Sequence, residues 1–152
     1  MSFQISVSGF SPGGTIPRRH TCDGEDLSPA LSWSDASPSA KSFVLIVDDP
    51  DAPAGTWNHW LQYDIPSDTR SLAEGFRPGR LGHSGKNDFG RLGYGGPCPP
   101  KGHGPHRYFF RLYAADVPSL GLPDGARRAD LDPALRNHVL AEAEYMGRYE
   151  RK

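Results

Sequence analysis

The chain has 152 residues, of which 23% are charged and 36% hydrophobic, and its formal net charge is −1. That length suits one domain with a proper core, and the near-neutral balance excludes a general attraction to nucleic acid or to an anionic membrane surface, so any anion binding must be local. The 18 Gly and 15 Pro imply many turns and few long helices, which favours a mainly β chain.

In chain order, Phe3, Ile5 and Val7 alternate with Gln4, Ser6 and Ser8, the pattern of a strand with one buried face. Ser11-Pro12-Gly13-Gly14 breaks it. Met1 to Val7 has neither a basic start nor a long apolar run. No segment reaches the roughly 18 apolar residues of a membrane span, so the expectation is a soluble, cytoplasmic protein. The polar, turn-rich stretch Pro17 to Asp26 follows, and Leu31-Ser32-Trp33 is a short second strand. Ser42 to Val47 is apolar at consecutive positions and predicts a strand covered on both sides. It ends in Asp48-Asp49-Pro50-Asp51-Ala52-Pro53, which puts three carboxylates at the end of a core strand. Thr56 to Trp60 leads into an alternating strand through Leu61, Tyr63 and Ile65, closed by Pro66. Thr69 to Leu92 is long and irregular, with Arg77, Arg80 and Arg91 scattered among glycines.

Gly93 to Tyr108 is too rich in Gly and Pro for a helix or a central strand. Its glycines let a ligand approach the backbone, while its prolines stiffen the loop. It runs into Arg107 to Tyr113, an aromatic and apolar run that reads as a buried strand. Cys98, within the loop, reads as a small, partly buried filler more readily than as a reactive thiol; a disulfide with the only other cysteine, Cys22, is left open. The C-terminal region predicts an amphipathic helix. Asp132 caps it, Pro133 takes its first position, Leu135, Val139, Ala143 and Met146 share a face, and Gly147 stops it.

If the loops meet at one end of a β-sandwich, Asp49, Asp51 and His59 come together with His106, Tyr108 and the amides of Gly95 and Gly96. Imidazoles and amides can donate to an anion such as phosphate, and the carboxylates would favour the cationic imidazole. His83, His103 and His138 have no ligand-like spacing and read as surface residues.

The segments Asp48-Asp49-Pro50-Asp51-Ala52-Pro53 with His59-Trp60, Gly93-Tyr94-Gly95-Gly96-Pro97 with Pro99-Pro100, and Gly104-Pro105-His106-Arg107-Tyr108 resemble the two signature regions of the phosphatidylethanolamine-binding proteins, also called Raf kinase inhibitor proteins. Thr21-Cys22-Asp23-Gly24, Asn87-Asp88-Phe89-Gly90 and the tail from His138 to Glu144 are similar to the bacterial, YbhB/YbcL-like branch. The resemblance spans nearly the whole chain. It implies a Greek-key antiparallel β-sandwich with a C-terminal helix, and a pocket formed by Asp49, Asp51, His59, His106 and Tyr108 and shaped by Pro53, Pro99 and Pro100. It also implies a possible homodimer, and a cis peptide at an Asp–Pro or Pro–Pro bond would suit the loops. Asp48 stands where animal members carry Thr, and a further carboxylate at the mouth would weaken a dianion or recruit a cation.

The function expected is therefore non-catalytic binding of a phosphate-like anion or a phospholipid headgroup, with no cofactor, no metal and no nucleic acid. One alternative is a protease or kinase-pathway inhibitor acting through the Pro97–Pro105 loop. A second is a metal-dependent hydrolase built on the His and Asp residues, although no His-Glu-x-x-His spacing and no nucleophile elbow is present.

Overall fold

The computed structural model describes residues 2–152. Its strands are β1 (Gln4–Val7), β2 (Leu31–Ser34), β3 (Ser42–Asp49), β4 (Trp57–Pro66), β5 (Ser71–Leu72), β6 (His83–Ser84), β7 (His106–Ala115) and β8 (Val139–Tyr149), with a helix α1 (Arg128–Leu135) between β7 and β8. The described residues form two antiparallel sheets, one ordered β1-β2-β5 and the other β6-β4-β3-β7-β8. The fold is mainly β.

β3 is the central strand, and every one of its residues is buried. Successive side chains of a strand point to opposite faces, and each face here meets its own core. Phe43, Leu45 and Val47 join Ile5, Val7, Leu31, Trp33, Phe110 and Leu112 between the two sheets. Val44 and Ile46 join Leu61, Tyr63, Ala126, Leu131 and Leu135 beneath α1. The continuous apolar run from Phe43 to Val47 is the consequence of cover on both sides.

The C-terminal half of the predicted helix is a strand. α1 ends at Leu135, with Asp132 and Pro133 inside it rather than at its start. Its entry is fixed instead by Asp130, whose carboxylate accepts the Arg127 backbone N–H at 3.1 Å. Val139 to Tyr149 pairs along the whole of β7, from Ala115↔Val139 to His106↔Tyr149. The same residues also carry a two-residue alternation, with Ala141, Ala143 and Tyr145 packed on the inter-sheet core and Glu142 and Glu144 between them. An unpaired β7 edge offers a full ladder of backbone hydrogen bonds, and that tertiary pairing overrides helical spacing. Gly147 is therefore no helix stop. A Cβ there would lie 2.5 Å from Phe10 and 2.6 Å from Ile16, so the glycine lets this N-terminal segment close onto β8. Backbone bonds from Gly13 N–H to the Met146 carbonyl (2.7 Å) and from Ile16 N–H to the Arg148 carbonyl (2.8 Å) complete the seam.

Two further expectations are corrected. All peptide bonds among the described residues are trans. Cys22 and Cys98 form a disulfide that joins positions 76 residues apart, so Cys98 is neither a filler nor a free thiol.

Candidate functional site

The antiparallel topology collects the predicted residues. β3 ends where β4 and β7 begin, with Asp49 opposite Trp57 and Asp48 opposite Phe109. A β-bulge then aims the key imidazole. Val47 faces Trp60 while Asp48 faces Asn58, leaving His59 as the extra residue of β4. A cavity of about 180 Å³ opens at this end, lined by Asp49, Ala52, Pro53, Trp57, His59, Phe89, Cys98, Pro99, Pro100, His106 and Tyr108. Its walls are thus prolines and aromatic rings, and its polar groups are few.

Each imidazole is oriented by a partner on Nδ1. His59 Nδ1 is 2.6 Å from the Gly95 carbonyl, and the Gly95 N–H returns a bond to the His59 carbonyl at 2.9 Å. His106, only 2% exposed, has Nδ1 2.7 Å from Asp49 Oδ2. A carbonyl and a carboxylate accept only, so both rings carry their proton on Nδ1. In the neutral ring each Nε2 is then an acceptor. Burial holds the His59 pKa below its ordinary value, against the pull of the Gly95 carbonyl, Asp49 and Asp88. This reverses the expectation that carboxylates would favour a cationic imidazole there.

The donors lie elsewhere in the cavity wall. The Tyr108 hydroxyl and Trp57 Nε1 are both buried and without a hydrogen-bond partner among the described residues. Burial and the neighbouring Asp49 carboxylate push the Tyr108 pKa up, so it keeps its proton. A buried donor left open costs about 1–3 kcal/mol, and these two flank one cavity.

Asp51, Gly95 and Gly96 support the site rather than line it. Asp51 takes the Arg107 backbone N–H and both arms of its guanidinium at 2.9 Å each, which fastens the turn after β3 to the start of β7. The hydrogen bonds from Arg107 hold the Asp51 carboxyl down at about 2. The Gly96 N–H is engaged by Asp26 Oδ1 at 2.8 Å, and the Gly95 N–H by His59. Neither amide is free for an anion.

Asp48 faces away from the cavity. It is 3% exposed, on the α1 side of the sheet, and is neutralised by Arg111 (3.2 Å) and Arg128 (3.0 Å). It ties α1 to β3 and adds no charge to the mouth. Arg77 and Arg80 line a separate groove with Phe76 and Leu81, and Arg91 pairs with Asp26 at 3.7 Å.

Three residues of the site escape simple sequence reading. Phe89 is carried by a turn whose Asp88 accepts the Asn58 backbone N–H at 2.6 Å, and its ring meets His59 edge-on at 5.4 Å. Trp57 needed the β4 register to be placed. His103, read as a surface residue, has Nδ1 2.6 Å from His106 Nε2; its only sequence signal is a Gly-His-Gly three residues before His106. Among the described residues no three His, Cys, Asp or Glu side chains converge in a metal-binding group, and no helix is long and apolar enough to cross a membrane.

Two packed sheets with a small, mostly apolar cavity at the strand ends define a β-sandwich pocket protein. A family model described as phosphatidylethanolamine-binding protein matches residues 6–150, and the chain belongs to that family. It is 55% identical over 151 residues to a UPF0098 protein of Aquifex aeolicus, covering 97% of this chain and 88% of that one. It is 49% identical to a UPF0098 protein of Methanothermobacter thermautotrophicus, covering 97% and 98%. Among solved structures, a putative phosphatidylethanolamine-binding protein homolog of Chlamydia trachomatis superposes with a TM-score of 0.91 at 40% identity over 99% of both chains. E. coli YbcL, described as a new member of the mammalian PEBP family, superposes with 0.92 at 32% identity over 100% of both.

Proposed function

We propose that the cavity binds the phosphate group of a small phosphorylated molecule or phospholipid headgroup without chemically changing it. The observation that carries this reading is the pair of open donors, Tyr108 hydroxyl and Trp57 Nε1, beside the two acceptor nitrogens of His59 and His106. Phosphate oxygens satisfy the donors. A phosphate hydroxyl, or a proton taken up on binding, satisfies an imidazole Nε2. The walls of Pro53, Pro99, Pro100 and Phe89 suit the carbon atoms of a headgroup or ester. Family membership supports a binding-type protein and agrees with this choice.

The test is a histidine-resolved NMR titration with inorganic phosphate and phosphorylethanolamine on wild type and Tyr108→Phe. Saturable shifts at His59 and His106 are expected. The variant should bind more weakly while being as stable as wild type or more so, because it loses a buried hydroxyl that has no partner in the free protein. Unmoved histidines at tens of millimolar of both compounds would sink the reading.

A further inference from the structure

We infer that His103 is an affinity-setting gate of this pocket, a side chain that occupies His106 Nε2 until an anion displaces it. The inference rests on the binding reading above and adds a residue to it. His106 donates its Nδ1–H to Asp49 Oδ2, the heavy atoms 2.7 Å apart, so in the neutral ring Nε2 carries a lone pair. His103 Nδ1 sits 2.6 Å from that atom, the two rings edge to face with centroids 4.9 Å apart. With His106 neutral, Nδ1–H of His103 donates to Nε2 of His106, whose own proton stays on Nδ1 and is donated to Asp49.

The two imidazoles stand in different surroundings. His106 is buried and lines the cavity, whereas His103 is exposed and does not line it. His103 is flanked by Gly102 and Gly104 at φ 75° and 89°, and a Cβ on either glycine would meet nothing within 4 Å. Its backbone is held by one bond, from its N–H to the Pro100 carbonyl at 3.2 Å. Such a side chain can leave without disturbing a core. An anion needs a donor at His106 Nε2, and that atom is filled by another donor's hydrogen. Anion binding at His106 therefore requires His103 to swing out and a proton to arrive on Nε2. Neutral ligands bring no charge to draw that proton, so the gate favours anions.

The experiment uses the full chain and inorganic phosphate at about pH 8, above the ordinary imidazole value. Phosphate affinity is measured by calorimetry for wild type, His103→Ala and His106→Ala, and the imidazole nitrogens of ligand-free wild type and His103→Ala are recorded by NMR. His103→Ala should bind about fivefold more tightly, the effect of removing one competing hydrogen bond of ordinary net strength. His106→Ala should lose binding, and the Nε2 signal of His106 should move in ligand-free His103→Ala. Equal or weaker binding by His103→Ala overturns the gate and leaves the pocket standing. An unmoved His106 Nε2 signal also overturns it. Absence of binding in wild type and His103→Ala alike, or full binding by His106→Ala, overturns gate and pocket together.

Discussion

The Cys22–Cys98 bond joins two irregular segments, and Cys98 lies in the cavity wall next to Pro99 and Pro100. Replacing both cysteines by Ser removes the cross-link without leaving a lone thiol. The bond closes a loop across 76 residues, and the chain-entropy relation gives about 4.5 kcal/mol for a loop of that size. For a domain of this length each kcal/mol is worth about 2–4 °C, so the melting temperature should fall by about 9–18 °C. Urea unfolding of the oxidised protein and the double variant measures the loss directly, provided the slope with denaturant is unchanged. Thiol titration in denaturant should find no free thiol before reduction and both cysteines after it. Phosphate affinity should fall in the variant, because the Pro99–Pro100 wall is then tied to Cys22 only by the Cys22 N–H bond to the Pro97 carbonyl at 3.1 Å. Two free thiols in protein purified without reductant, or a stability change below about 1 kcal/mol, would refute the reasoning. Bonds of this kind persist in oxidising compartments and inside hyperthermophiles, so the assay is run both with and without reductant.

Three other outcomes follow from single groups. Burial depresses the His59 pKa, so the unfolded chain binds more protons than the folded one below about 6.5. Stability from His59 is complete above that value and is lost as pH falls towards the folded pKa; urea midpoints against pH should be flatter for His59→Gln, and an identical slope would count against a buried neutral ring. Asp51 behaves alike at lower pH: its carboxyl is held at about 2 against 3.8 when unperturbed. Its contribution is present above 3.8 and lost as pH falls through about 2. Asp51→Asn should therefore destabilise at neutral pH and cease to differ from wild type in strong acid. Gly147→Ala places a methyl group into Phe10 and Ile16 and should cost about 1–3 kcal/mol by overpacking, read by thermal melting; a neutral substitution would mean that the Phe10 segment does not close on β8.

The core strand and the C-terminal segment show why one part of this fold is legible in the sequence and another is not. The run from Phe43 to Val47 admits few alternatives, since a strand covered on both sides must be apolar at every position. Val139 to Tyr149 carries both a helical and an alternating pattern, and choosing between them requires knowing that β7 has a free edge. That information lies some thirty residues away and is long-range. The disulfide is similar: nothing local to Cys22 or Cys98 shows that the two segments meet.

For the site, residue identity was legible and proton chemistry was not. Asp49, His59, His106, Tyr108, Pro53, Pro99 and Pro100 do converge on one cavity, whereas Asp51 holds Arg107 outside it. The sequence suggests two cationic imidazoles beside carboxylates and glycine amides, a site made of donors. The structure turns this round at His59, which donates its Nδ1–H to the Gly95 carbonyl and is too buried to hold a second proton, while His106 donates its Nδ1–H to Asp49. The open donors come instead from a phenol and an indole, neutral groups whose protons do not depend on pH near neutrality. A pocket built this way has little attraction for a bare dianion and more for a phosphate that carries or gathers a proton. Its affinity should therefore depend on proton supply at His106 Nε2, the atom that His103 now covers.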